Sequence, residues 1–120
     1  MGNGNNKNFE LAARIARLSS ARNRHGAVIA CGGNVLSLGV NSSKTHTRSN
    51  APSRQIHAEL AALIANRTDV QGATLYSARV LRNGKLGVSK PCAYCALLLR
   101  EAGIRRVVYF DGKRVVRSRV

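Results

Sequence analysis

Hydrophobic positions recur along the chain in two periods, and the switches between them divide it into elements. From Lys7 to about Ser20, the residues Phe9, Ala12, Ile15, Ala16 and Leu18 fall near helical spacing, with Arg14 and Arg17 among them. That pattern predicts an amphipathic helix with a basic outer face. The Gly- and Asn-rich stretch before it, residues 1–6, reads as a flexible tail. The apolar run Ala27-Val28-Ile29-Ala30-Cys31 predicts a strand in which Cys31 serves as a small buried hydrophobe. Gly32-Gly33-Asn34 is a hairpin signal, and Val35, Leu36, Leu38 and Val40 make the antiparallel return strand. Periodicity then stops. Residues 42–55 are polar and carry Lys44, His46, Arg48 and Arg54, a loop long enough for so small a domain to point to binding or gating.

An Ala- and Leu-rich segment from Ile56 to about Asn66 predicts a second helix, and residues 73–80 a third strand. Asn83-Gly84 interrupts the basic segment 79–90 and predicts a turn or small flap. Pro91 opens a third helix that ends near Ala102, with Gly103 as its C-terminal cap. Residues 105–110 form a fourth strand, Asp111-Gly112 a tight turn, and residues 114–119 an antiparallel edge strand. The order of elements is helix, two strands, helix, strand, helix, two strands. It implies a single α/β domain over residues 7–120, without repeats or linkers.

Composition narrows the setting. The hydrophobic fraction is 44%, with no run as long as a membrane span and no charged-then-apolar leader, so a soluble, cytoplasmic protein with no membrane partner is expected. Twenty Lys and Arg against five Asp and Glu give a net charge of +15, a field that gathers phosphate-bearing anions. Aromatic residues are 4%, too few for a long base-stacking platform. Of three cysteines, Cys92 and Cys95 form one Cys-x-x-Cys, whose thiols a reducing compartment keeps available for metal, and Cys31 is the spare.

Two short motifs carry the chemistry. In Ser89-Lys90-Pro91-Cys92-Ala93-Tyr94-Cys95 a helix start places two sulfurs three residues apart on one face of the first turn. His57, in Ile56-His57-Ala58-Glu59, supplies a third ligand, and three protein ligands leave a tetrahedral Zn²⁺ with the open position of a catalytic site. Glu59, two residues after His57, is a carboxylate able to move protons without binding the metal. A lone Cys-x-x-Cys also occurs as a redox pair or half of a structural zinc site. The chain holds no second Cys-x-x-Cys to complete a closed site.

His-x-Glu followed by Pro-Cys-x-x-Cys is the signature of zinc nucleobase deaminases. With these motifs, and elements in the same order around them, the sequence resembles the cytidine deaminase-like family of cytidine and deoxycytidylate deaminases. The resemblance implies a three-layer α/β/α fold with a mixed sheet of about five strands and helices on both faces, the last two strands being antiparallel as in the free-nucleoside branch. It implies Zn²⁺ on His57, Cys92 and Cys95, and Glu59 as proton shuttle in the hydrolysis of cytosine to uracil. Asn41 matches the position that meets the substrate's sugar. Backbone N–H groups near Ala58 and Cys92 match those that hold the pyrimidine oxygen, and a backbone carbonyl at Ser89 or Lys90 accepts from the exocyclic amine. Lys90 stands where relatives often carry an acidic residue or serine, which makes its ammonium a candidate phosphate contact. Arg48 and Arg54 are further candidates, by charge and by nearness in sequence.

The substrate class stays open between a free nucleotide such as dCMP or CMP and single-stranded DNA or RNA. A tRNA adenosine deaminase-like enzyme shares the motifs. A nucleic-acid-binding domain on a deaminase scaffold is the non-enzymatic alternative, although a structural zinc has no use for Glu59. Relatives associate through helix faces, so a homo-oligomer also stays open, against the repulsion of +15 per chain at low salt.

Overall fold

A computed structural model describes residues 3–19, 24–41, 62 and 70–120. Helix α1 spans Asn3–Ala16, beginning within the stretch expected as a tail and ending before Ser20. Phe9, Ala12 and Ala16 are buried along one stripe of it, while Lys7, Arg14 and Arg17 face solvent. Leu18, expected on the apolar stripe, is 76% exposed. The helix has tightened into i to i−3 bonds by then, and Ser19 turns its hydroxyl to Asn41.

Strand β1 (Arg24–Cys31) begins three residues earlier than its apolar run and pairs antiparallel with β2 (Asn34–Val40) through Gly32 and Gly33, both at positive φ. Cys31 is exposed at the end of β1, contrary to the expectation of a buried thiol, because the turn begins immediately after it. Strand β3 (Thr74–Val80) is antiparallel to β1 and parallel to β5 (Arg106–Phe110). Strand β6 (Val115–Arg119) returns antiparallel on β5, as the short turn required. There Asp111 Oδ1 accepts from the N–H groups of Lys113 and Arg114, and those bonds, Arg114's first, hold the carboxyl below its usual range.

The described sheet has six strands rather than about five, in the order β2-β1-β3-β5-β6. The sixth, β4 (Leu86–Gly87), lies where a turn or flap was predicted and pairs with the carboxyl end of β3. Alternation along the strands separates two apolar layers. Val28, Ala30, Tyr76, Ala78 and Val108 meet Phe9 and Ala12 of α1, whereas Ala27, Ile29, Leu75 and Val107 meet Leu99 of α2 (Ala93–Glu101) and Ala62. Helical residues therefore cover both faces, in the three-layer arrangement. No helix among the described residues is long and apolar enough to cross a membrane.

Candidate active site

The site forms where β3 and β5 part. They pair over Thr74–Tyr76 and Arg106–Val108, and beyond that register the chain leaving β4 inserts Ser89 between them. Ser89 N–H donates to Phe110 O at 3.0 Å, and Phe110 N–H donates back to Ser89 Oγ at 2.9 Å. On the other side Ser89 Oγ donates to Ser77 O, and Ser77 Oγ donates to Ser89 O, both at 2.7 Å. Ser77 and Ser89 are buried, so these four bonds satisfy polar atoms that would otherwise be costly to enclose. The next three residues lead to Cys92 at the carboxyl end of the parallel pair, the place where open α/β sheets bind ligands.

Cys92 is the N-cap of α2, and its sulfur accepts from Cys95 N–H at 3.4 Å. Pro91 therefore precedes the cap instead of opening the helix. Cysteine is not a usual cap residue, but its sulfur here takes the acceptor role that a serine oxygen would play. The spacing survives: the sulfurs belong to the cap and the third helical residue, with Cys92 exposed and Cys95 buried. The far end closes with Gly103 at φ +92; Gly103 N–H donates to Arg100 O and Ile104 N–H to Leu99 O, the two bonds of a Schellman motif.

Neither cysteine is in a disulfide. Two thiols on one helical turn, one of them at the cap and open to solvent, fit a zinc ion's preference for sulfur donors. No group of three His, Cys, Asp or Glu side chains gathers among the described residues. His57, Ala58, Glu59, Arg48 and Arg54 lie outside them. Ala62, five residues after His57, is buried on the α2 side, where its carbonyl accepts from Ser37 Oγ at 2.6 Å.

Asn41 is buried at the end of β2, with Oδ1 accepting from His25 N–H at 2.9 Å and from Ser19 Oγ at 2.6 Å. Those bonds set which end of the amide faces the framework. Of the two carbonyls expected at the exocyclic amine, that of Ser89 is 2.7 Å from the Ser77 hydroxyl inside the core. Lys90 is exposed one residue later, and with Pro91 it borders an apolar cleft of about 140 Å³ between α2 and β5–β6, lined also by Leu99, Val107 and Tyr109.

Two contributors escaped the sequence reading. Ser77 takes its place by alternation on the same face as Leu75 in a largely buried strand, and His25 places Nε2 2.6 Å from Ser77 Oγ. A polar residue on the core parity of a buried strand was the available signal.

Residues 5–111 match the model of the cytidine and deoxycytidylate deaminase zinc-binding region. No curated protein sequence matches the chain. Among solved structures, the apo dCMP deaminase of cyanophage S-TIM5 is similar with a TM-score of 0.71 and 20% identity, covering 94% of this chain and 86% of that one. The cytidine deaminase of Burkholderia pseudomallei gives 0.65 and 17%, over 95% and 91%. RibD of Acinetobacter baumannii gives 0.58 and 23%, over 87% of this chain and 27% of that one. At these identities the structures speak for the fold, and the match over residues 5–111 speaks for the family. The chain belongs to the cytidine and deoxycytidylate deaminases, zinc-binding hydrolytic deaminases.

Proposed function

We propose that the chain, as a single domain over residues 7–120, hydrolyses cytosine to uracil and ammonia in a free pyrimidine nucleotide such as dCMP or CMP. The observation that carries this reading is the Cys92 and Cys95 pair at the start of α2, beside the exposed Lys90 and three residues after Ser89, which sits where the parallel pairing of β3 and β5 ends. The similarity of fold to a dCMP deaminase supports the phosphorylated substrate.

His57, Cys92 and Cys95 would hold the zinc. When bound, zinc supplies the Lewis acidity that makes water a nucleophile at neutral pH. Glu59 takes a proton from the attacking water, delivers it to the ring nitrogen, and assists departure of the amine. The N–H groups of Ala58 and Cys92 orient the pyrimidine oxygen, and the Lys90 carbonyl accepts from the exocyclic amine. Asn41 meets the sugar. The Lys90 ammonium, with Arg48 and Arg54, attracts the phosphate.

A second reading, single-stranded nucleic acid, is favoured by one surface. Arg106 and Arg119 oppose each other across β5 and β6, and Arg117 lies next along β6 on the same face; with Ser118 they line an open hollow of about 260 Å³. Like charges opposed in a ladder are unfavourable, and a chain of phosphates would relieve them. The test offers cytidine, CMP, dCMP, single-stranded DNA and RNA, and adenosine-bearing tRNA, and measures uracil and inosine. The nucleotide reading predicts uracil from dCMP or CMP and none from oligonucleotides, with shallow salt dependence. Turnover of oligonucleotides, with log affinity falling by about 0.7 per contacted phosphate against log salt and flattening when Arg106, Arg117 and Arg119 become Gln, would replace it. Inosine would move the enzyme to adenine.

A further inference from the structure

We propose that His25 is a positioning residue of the deaminase site, acting as an obligate Nε2–H donor that ties Asn41 to the segment leading to Cys92. The proposal rests on the site reading above. The Ser77 hydroxyl has one hydrogen and two close partners, the Ser89 carbonyl at 2.7 Å and His25 Nε2 at 2.6 Å. A carbonyl only accepts, so the serine hydrogen belongs to Ser89 O. The short His25 contact is then a bond only if Nε2 carries the proton, which assigns the tautomer.

The position of His25 gives that bond its reach. Its N–H donates to Asn41 Oδ1 and its carbonyl accepts from Asn41 N–H at 3.1 Å, so one residue holds Asn41 by its backbone and Ser77 by its ring. Ser77 in turn holds Ser89, three residues before Cys92. The connected path runs Ser19, Asn41, His25, Ser77, Ser89, Phe110, from the end of β2 through the start of β1 and the middle of β3 to the end of β5. Removing the Nε2 donor leaves Ser77 Oγ without one of its two bonds inside the core and loosens the segment that delivers the Cys92 cap.

Side-chain length makes this testable. Gln carries an amide nitrogen at the ε position and can replace the donor, whereas Asn is one bond short. We expect His25→Asn to lower zinc affinity of the intact chain, measured by chelator competition, by about 10–100-fold, as loss of outer-shell support typically does, with His25→Gln restoring most of it. A control, Val28→Ala, opens a cavity on the opposite, α1 side and lowers the melting temperature without touching the path. Zinc affinity falling in His25→Asn but not in Val28→Ala, together with an Nε2–H tautomer seen by ¹⁵N NMR of the histidine ring, supports the proposal. Equal losses in both variants, no rescue by Gln, or an Nδ1–H tautomer overturns it. A wild-type chain that takes up no zinc overturns the site reading itself, whereas zinc uptake indifferent to His25→Asn removes only the role of His25.

Discussion

Glu59→Gln is expected to keep one zinc per chain and a normal fold while turnover of the preferred nucleotide falls by about 10⁴-fold, the upper range for a lost general acid–base. The amide has the size of the carboxylate but cannot take a proton from water or return one to the ring nitrogen. Because the carboxylate serves both transfers, the loss falls on kcat and on kcat/KM alike, as for an interaction made in the transition state. Steady-state uracil formation beside elemental analysis separates the outcomes. Turnover within tenfold of wild type would assign the proton transfers to another group. Loss of zinc along with activity would make Glu59 a support of the metal site.

The second large effect is on the fold. A Cβ at Gly26 would stand 2.2 Å from Ala12 O and 2.9 Å from both Ala16 N and Ile15 Cγ1, so α1 rests directly on the β1 backbone at this point. The blocking atoms are mostly main chain and cannot swing away. Gly26→Ala must push the helix off the sheet, opening the layer of Phe9, Ala12, Val28 and Tyr76. We expect a loss of about 3 kcal/mol, the severe end of overpacking, and a fall in melting temperature of about 10 °C. Gly33→Ala is the contrast: φ is +87 but nothing lies within 4 Å of the added methyl, so only backbone strain of about 1–2 kcal/mol applies. Thermal melts of the two variants rank these costs, and an ordinary melt for Gly26→Ala would mean that α1 does not seat as described.

Much of this arrangement was legible because it is periodic or punctuated. The apolar run of β1 marks a buried strand, and the Gly32-Gly33 and Asp111-Gly112 turns and the Gly103 cap each impose a local geometry that few other residues provide. Cys92 and Cys95 were legible because three-residue spacing survives a shift of the helix start by one or two positions. What stayed hidden depends on tertiary partners. β4 is two residues long and exists because β3 offers it bonds at Arg79 and Val80. Leu18 fits a helical stripe, but the helix has ended when it arrives. The Ser77 and Ser89 exchange joins residues twelve apart whose hydroxyls have no period, so neither strand pattern nor motif announces it. The roles of His57 and Glu59 rest on their motif.

The most direct test of the account is the metal content of the purified chain. Elemental analysis after purification without chelator should give one zinc per chain, and His57→Ala, Cys92→Ala and Cys95→Ala should each lose it. A wild-type chain without zinc that takes none up on addition, or one that keeps full zinc after any of the three substitutions, would contradict the account at its centre.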